Sequence, residues 1–253
     1  MQYVIKLAYE GSQYHGWQIQ NNANSVQGEI NQALSKILRK NIDTIGCGRT
    51  DTGVHASCFY AQFYFDGAIQ EGLVHKLNRI LPSDIVVYEL YTVSENFNVR
   101  FDATYRKYEY HIHQKLNPFI VGRSYYRYGA LNFDAMNKAA ELLLHYTDFE
   151  CFSKVQTDVH TFNCNITYAK WAQNQQNNWV FTIQANRFLR NMVRAVVGSL
   201  IEVGTGKIDV EGFEAIIKSK KRSEAGQSVP AQALYLVDIG YDFEANKWHK
   251  IDG

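Results

Sequence analysis

The chain has 253 residues, 46% of them hydrophobic and 20% charged, which suits a folded protein of one large domain or two small ones. Lys and Arg number 26 against 25 Asp and Glu, a net charge of +1 that excludes a uniformly basic nucleic-acid coat protein and an acidic disordered tail. It does not exclude a local basic groove, because net charge averages over the whole surface.

Tyr3–Tyr9, β-branched and aromatic, reads as a first strand that stops at Glu10-Gly11-Ser12. Ile30, Leu34, Ile37 and Leu38 recur at helical spacing and predict a helix from about Ser25 to Arg39. A strand over Ser57–Phe65, a helix near Gln70–Arg79 and a strand near Ile85–Tyr91 follow. In the second half the pattern predicts a strand at Arg106–His113, a helix at Phe133–Leu144, and strands at Thr167–Trp171 and Trp179–Ala185 joined by a polar hairpin loop. Helices at about Phe188–Val203 and Val210–Lys218 and a last strand at Leu234–Ile239 complete the chain. The fold class expected is α+β: two related β-α-β-α-β subdomains, 1–104 and 105–253, with largely antiparallel sheets flanked by helices and an active-site cleft between them.

No apolar run is long enough to span a bilayer, and no basic-then-apolar leader is visible at Met1–Gly11. Cys47, Cys58, Cys151 and Cys164 fit neither zinc spacing nor a disulfide framework, so free thiols in a cytoplasmic setting are expected.

The most unusual stretch is Gly46-Cys-Gly-Arg-Thr-Asp-Thr-Gly-Val-His-Ala56, with three glycines, Arg49, Asp51 and His55 between a helix and a strand. Taken alone it is a tight turn in which Thr and Asp bond nearby backbone, and it matches no phosphate-binding loop. Four further segments change that reading: Tyr9-Glu-Gly-Ser-Gln-Tyr-His-Gly-Trp-Gln-Ile-Gln20, Leu81-Pro-Ser-Asp-Ile85, Arg100-Phe-Asp-Ala-Thr-Tyr-Arg-Lys-Tyr-Glu-Tyr110, and the run Ala185-Asn-Arg-Phe-Leu-Arg-Asn-Met-Val-Arg194 continued by Val197–Gly204. In this order the set resembles the bacterial tRNA pseudouridine synthase A family over nearly the whole chain.

The resemblance implies an isomerase that converts uridine to pseudouridine at positions 38, 39 and 40 of the tRNA anticodon stem-loop, with no cofactor and no metal, working as a homodimer. It places the catalytic aspartate at Asp51 and a pairing arginine at Arg194. Tyr108 becomes the residue that stacks on the target base, and Arg49 the one that displaces or holds it. Two departures stand out: Glu10 and Ser12 where the family usually has Asp and Thr, and Asn98-Val99 where it commonly has His-Ala. Both lie outside the aspartate loop.

On the predicted helix carrying Arg194, an apolar stripe runs from Leu189 to Ile201 beside a basic stripe of Arg187, Arg190 and Arg194. Arg187 and Arg190 are expected to meet phosphates or water, with Arg100, Arg106 and Lys107 as further RNA contacts. His55, His111 and His113 are read as structural, the last two alternatively as RNA-facing, and the cluster Lys218, Lys220, Lys221, Arg222 as a solvated helix end. A glycoside hydrolase would need a second carboxylate, and none lies near Asp51 in its loop. From Arg100 to Tyr128 six basic residues oppose two acidic ones, a net +4 that leaves −3 for the remainder, and six of the 17 tyrosines fall there. Near-neutrality therefore hides a basic, aromatic stretch suited to RNA.

Overall fold

A computed structural model describes residues 1–69, 71–154 and 160–251. The backbone forms two compact units, Met1–Thr104 joined by the stretch from Leu236 onward, and Tyr105–Tyr235. Sequence order alone groups everything after residue 104 together; in three dimensions the chain from Leu236 returns to the first unit.

The first unit is built on β1 (Gln2–Tyr9), β2 (Ile45–Gly46), β3 (His55–Tyr64) and β4 (Ile85–Val93), with β1 antiparallel to both β3 and β4 and β2 antiparallel to β3. Helix α1 (Val26–Leu38) begins where the Ser25 hydroxyl accepts the Gly28 N–H at 3.2 Å and ends at Arg39 in the left-handed region, φ 54°. Its Val26, Ile30 and Leu34 are fully buried, as their spacing predicts. Helix α2 (Leu73–Ile80) starts after Gly72 at φ 83°, later than the expected start at Gln70, which lies outside the described residues.

A strand absent from the sequence reading, β10 (His249–Ile251), runs antiparallel along β4. Trp248 anchors it, meeting Tyr91, Phe97 and Tyr60 edge-on at ring distances of 5.0, 5.2 and 5.6 Å. Lys250 reaches Glu89 at 2.7 Å, where Lys6 and the Tyr91 hydroxyl also converge. The hydrogen bonds from Lys250 and Tyr91 lower the Glu89 carboxyl to about 2. A carboxyl depressed in the folded state stabilises the fold above its usual range near 4.5, and that contribution is lost as pH falls toward about 2. In Glu89→Gln the loss over this window should be shallower than in wild type, as thermal melts at successive acidic pH values will show.

In the second unit β5 (Tyr105–His113) pairs with β8 (Trp179–Ala185), and β8 with β7 (Ile166–Gln173), all antiparallel. The short β6 (Tyr125–Tyr126) joins β5 in parallel. The β7–β8 hairpin turns at Asn177, φ 58°. Helices α3 (Phe133–Leu142), α4 (Met192–Gly204) and α5 (Val210–Ser219) complete the unit, and β9 (Leu234–Gly240) leads out of it. The last residues expected in α3 form a separate 3-10 turn, Leu143–His145.

One expectation is corrected. The helix predicted from Phe188 starts at Met192, because Asn191 takes a left-handed φ of 65° and interrupts any helix before it. Arg187 and Arg190 therefore do not share a helical face with Arg194. The expected lysine-rich helix end is present: Lys220 closes α5 at φ 56°, Lys218 pairs with Glu214 and Lys220 with Asp148. All four cysteines are buried. Among the described residues, no helix is long and apolar enough to cross a membrane.

Candidate active site

The loop holding Asp51 is shaped by the segment that follows β1. Gly16 sits at φ 91°, and a Cβ there would lie 2.3 Å from the Thr50 carbonyl oxygen and 3.1 Å from the Asp51 carbonyl carbon. Only a bare backbone fits between these segments. Gly11 lies equally close to Val54, whose carbonyl oxygen a Cβ would meet at 2.0 Å. The Trp17 N–H donates to the Thr50 carbonyl (3.3 Å), and the Gly53 N–H donates to the Tyr14 carbonyl (3.3 Å). The turn closes with the Val54 N–H on the Asp51 carbonyl at 3.1 Å, and Gly53 supplies the positive φ of 79° in its third position.

Side chains hold the same loop from beneath. Thr50 is 8% exposed, and its hydroxyl meets the Tyr9 hydroxyl at 2.9 Å in the core. Tyr9, Trp17 and Phe59 form an aromatic group, with Trp17 and Phe59 at 4.2 Å. Gly46 lies where a Cβ would strike the Trp17 ring, 2.4 Å from its Nε1. His55 is buried, and its Nδ1 accepts the Gly11 N–H at 3.0 Å. The Glu10 carboxylate lies 3.2 Å from the same Nδ1, and the buried ring is held by hydrogen bonding, as expected. The Leu81–Ile85 segment joins in: Tyr14 donates its hydroxyl to Asp84 at 2.7 Å, and the Glu10 N–H donates to the Asp84 carbonyl at 2.9 Å.

Three segments noted in the sequence therefore form one assembly in the first unit, and it presents Asp51 half-buried with exposed Arg49 two residues before it. Glu10 and Ser12 bond one another, Oγ to Oε1 at 2.5 Å. In the second departure, the Asn98 carboxamide accepts the Arg100 and Phe101 N–H groups, and Val99 is fully buried.

The second unit carries the remaining candidates. Tyr108 is half-buried on β5, edge-on to Phe188 at 5.2 Å. Tyr110, on the same side of β5, is a core residue with its hydroxyl on the Pro230 carbonyl (3.0 Å), and burial raises its pKa. Arg194, half-buried on α4, donates Nε to the Val229 carbonyl at 2.7 Å, and the Val229 N–H returns to the Arg194 carbonyl at 3.3 Å. Arg106 donates to the Asn186 carbonyl at 3.0 Å, Lys107 lies over the Tyr105 ring, and Arg187 reaches the Thr161 carbonyl at 3.4 Å. Arg190 is exposed, and Arg100 packs over the exposed ring of Phe101. His111 bonds Glu109 at 3.1 Å, and among the described residues no three His, Cys, Asp or Glu groups could hold a metal ion.

The strap that grips Arg194, Gly226–Pro230, escapes sequence reasoning. It crosses α4 at Gly198, where a Cβ would lie 2.0 Å from the Gln227 carbonyl oxygen. The buried Ser199 hydroxyl accepts the Gly226 N–H at 2.8 Å and donates to the Ala195 carbonyl at 3.1 Å. The only signal in the sequence is the small-residue composition of both crossing points. Ser199→Ala strands the Gly226 N–H in the core and should cost about 1–3 kcal/mol, measured as a lower urea midpoint.

The stretch 139–242, from within α3 to just past β9, matches a family model described as tRNA pseudouridine synthase. The chain is 49% identical to the tRNA pseudouridine synthase A of Bacteroides fragilis, over 96% of this chain and 97% of that one. It is likewise 49% identical to the Bacteroides thetaiotaomicron enzyme of that name (94% and 90% covered) and 37% identical to that of Acetivibrio thermocellus (93% and 97%). The α+β fold and the loop assembly thus stand in a class of enzymes that form pseudouridine in tRNA. The chain belongs to the tRNA pseudouridine synthase A family, and it is an isomerase acting on tRNA.

Proposed function

We propose that the chain isomerises uridines 38, 39 and 40 of the tRNA anticodon stem-loop, with Asp51 as the catalytic carboxylate. The observation that supports this most is the clamped loop. Gly16, Gly11, Tyr9 and Trp17 hold the backbone from Thr50 to Val54, and the half-buried Asp51 follows a Thr50 whose carbonyl and hydroxyl are both bonded, to Trp17 and Tyr9. A carboxylate held this way is preorganised for one position on a substrate.

The reaction conserves every atom of the nucleoside. The N1–C1′ bond breaks, the uracil turns, a C5–C1′ bond forms, C5 loses its proton and N1 gains one. Attack of Asp51 on C1′ and removal of a ribose proton by Asp51 both require its ionised form, and Arg194 is the guanidinium assigned to favour it. Tyr108 offers an aromatic face to a base taken out of its stack, Arg49 occupies the displaced position, and Arg100, Arg106, Lys107, Arg187 and Arg190 meet the backbone phosphates. The enzyme works without a cofactor, as a cytoplasmic homodimer.

The test is release of tritium from unmodified tRNA labelled at uridine C5, with the product pseudouridines mapped by position. Release with products confined to positions 38–40 is the expected result; products elsewhere would overturn the site assignment. Sedimentation of the purified enzyme checks the dimer.

A further inference from the structure

Arg222 lies just past α5, in the basic cluster whose Lys218 and Lys220 pair with carboxylates. Unlike them it is half-buried and spends its donors on neutral acceptors. Nη1 donates to the carbonyls of Ala225 and Gly226, both at 3.2 Å, and Nη2 donates to the Ser228 hydroxyl oxygen at 3.0 Å. One guanidinium holds three points on the strap that grips Arg194. This is the use of a rigid, planar fork of donors rather than of a charge.

The hold reaches beyond the turn that Arg222 itself closes. Ser228 Oγ also accepts Nδ2 of Asn191, at the start of α4, at 2.6 Å, so both of its lone pairs are engaged. Upstream, the Gly226 N–H is tied to the buried Ser199 hydroxyl of α4. Gly226 and Ser228 are each fixed by Arg222 on one side and by α4 or its first residue on the other. Val229 comes next: its carbonyl takes Arg194 Nε at 2.7 Å, and its N–H returns to the Arg194 carbonyl. A guanidinium is planar, so a bond at Nε orients the plane and with it the two terminal nitrogens. The place of the Val229 carbonyl decides where Arg194 points.

We propose that Arg222 is a positioning residue for the isomerisation: it sets the strap from Gly226 to Val229 and, through the Val229 carbonyl, aims the Arg194 guanidinium without touching RNA or the reacting atoms. The inference rests on the role of Arg194 given above. It predicts an effect on turnover and not on affinity. In Arg222→Met, kcat for tritium release should fall roughly tenfold, as for a displacement well under 1 Å at a reacting group, with KM for tRNA within about twofold of wild type.

The test is a double-mutant cycle on the full-length enzyme, read by kcat, KM and single-turnover tritium release below the melting temperature of every variant. Ser228→Ala removes the hydroxyl shared by Arg222 and Asn191 and supplies a second, smaller cut that should lower the rate in the same direction. The expected result is that either change slows the wild type and costs nothing further in Arg194→Ala, because its effect runs through that guanidinium. An equal fractional loss in the Arg194→Ala background would show that the strap supports the fold at large, and overturns the proposal. A raised KM with kcat intact, beyond the change seen in Lys221→Met at the exposed neighbour, assigns Arg222 to an RNA phosphate and also overturns it. Wild-type rates in Arg222→Met and Ser228→Ala do the same while leaving the catalytic reading in place. A wild-type rate in Arg194→Ala would instead remove Arg194 from the reaction, and the positioning role with it.

Discussion

Asp51→Ala is expected to reduce tritium release from C5-labelled tRNA by about four orders of magnitude or more, with tRNA binding retained. Uridine isomerisation needs a group that attacks or deprotonates the ribose, and the loop offers one carboxylate for it. Thr50, Gly53 and Val54 make the turn and its bonds through backbone and the Thr50 hydroxyl. The variant should therefore fold and bind. Asp51→Asn, equal in size but uncharged, should be as inactive, which separates lost charge from lost volume. Turnover within about tenfold of wild type in either variant would remove Asp51 from the catalytic role.

Gly16→Ala is expected to damage catalysis nearly as severely, although residue 16 has no chemistry of its own. Its φ of 91° is strained for any residue with a Cβ, and that Cβ would sit 2.3 Å from the Thr50 carbonyl oxygen, an atom of the backbone that cannot swing aside. Relief requires the Thr50–Asp51 peptide to move, and a displacement of about 1 Å at a reacting group costs about a hundredfold in turnover. The fall should appear in kcat far more than in KM, with a lower melting temperature as well. Gly48→Ala provides the contrast for stability: a Cβ there meets nothing within 4 Å, and its melting temperature should stay at the wild-type value. Equal melting temperatures and equal kcat for Gly16→Ala and wild type would show that the clamp does not set the position of Asp51.

Local physics accounts for what was legible in the sequence. β-branched and aromatic composition placed β1, and helical spacing of Ile30 and Leu34 placed α1 from about Ser25, because each of these signals lies within a few residues of the structure it makes. The same periodicity misplaced the start of α4. Leu189 is buried like Met192 and Val193, but an apolar stripe records burial and not backbone conformation, and Asn191 in the left-handed region breaks the helix between them. β10 escaped because three residues, His249, Lys250 and Ile251, are too few to carry a strand pattern of their own; Trp248 and the Lys250–Glu89 pair hold them against β4 from far along the chain.

The candidate site divides in the same way. The sequence by itself determined the family and singled out the loop from Gly46 to Ala56 and the residues proposed for the chemistry, since motif order needs no folding to be read. Only the tertiary structure decided what holds them: that Gly16, from a separate segment, packs against the Thr50–Asp51 backbone, that Tyr110 is core while Tyr108 remains half-open, and that a strap 35 residues away grips Arg194 through the Val229 carbonyl. The physical reason is that these constraints are contacts between backbone atoms and bare glycines distant in sequence. Such contacts leave no periodic trace, and they exist only once the chain has closed on itself.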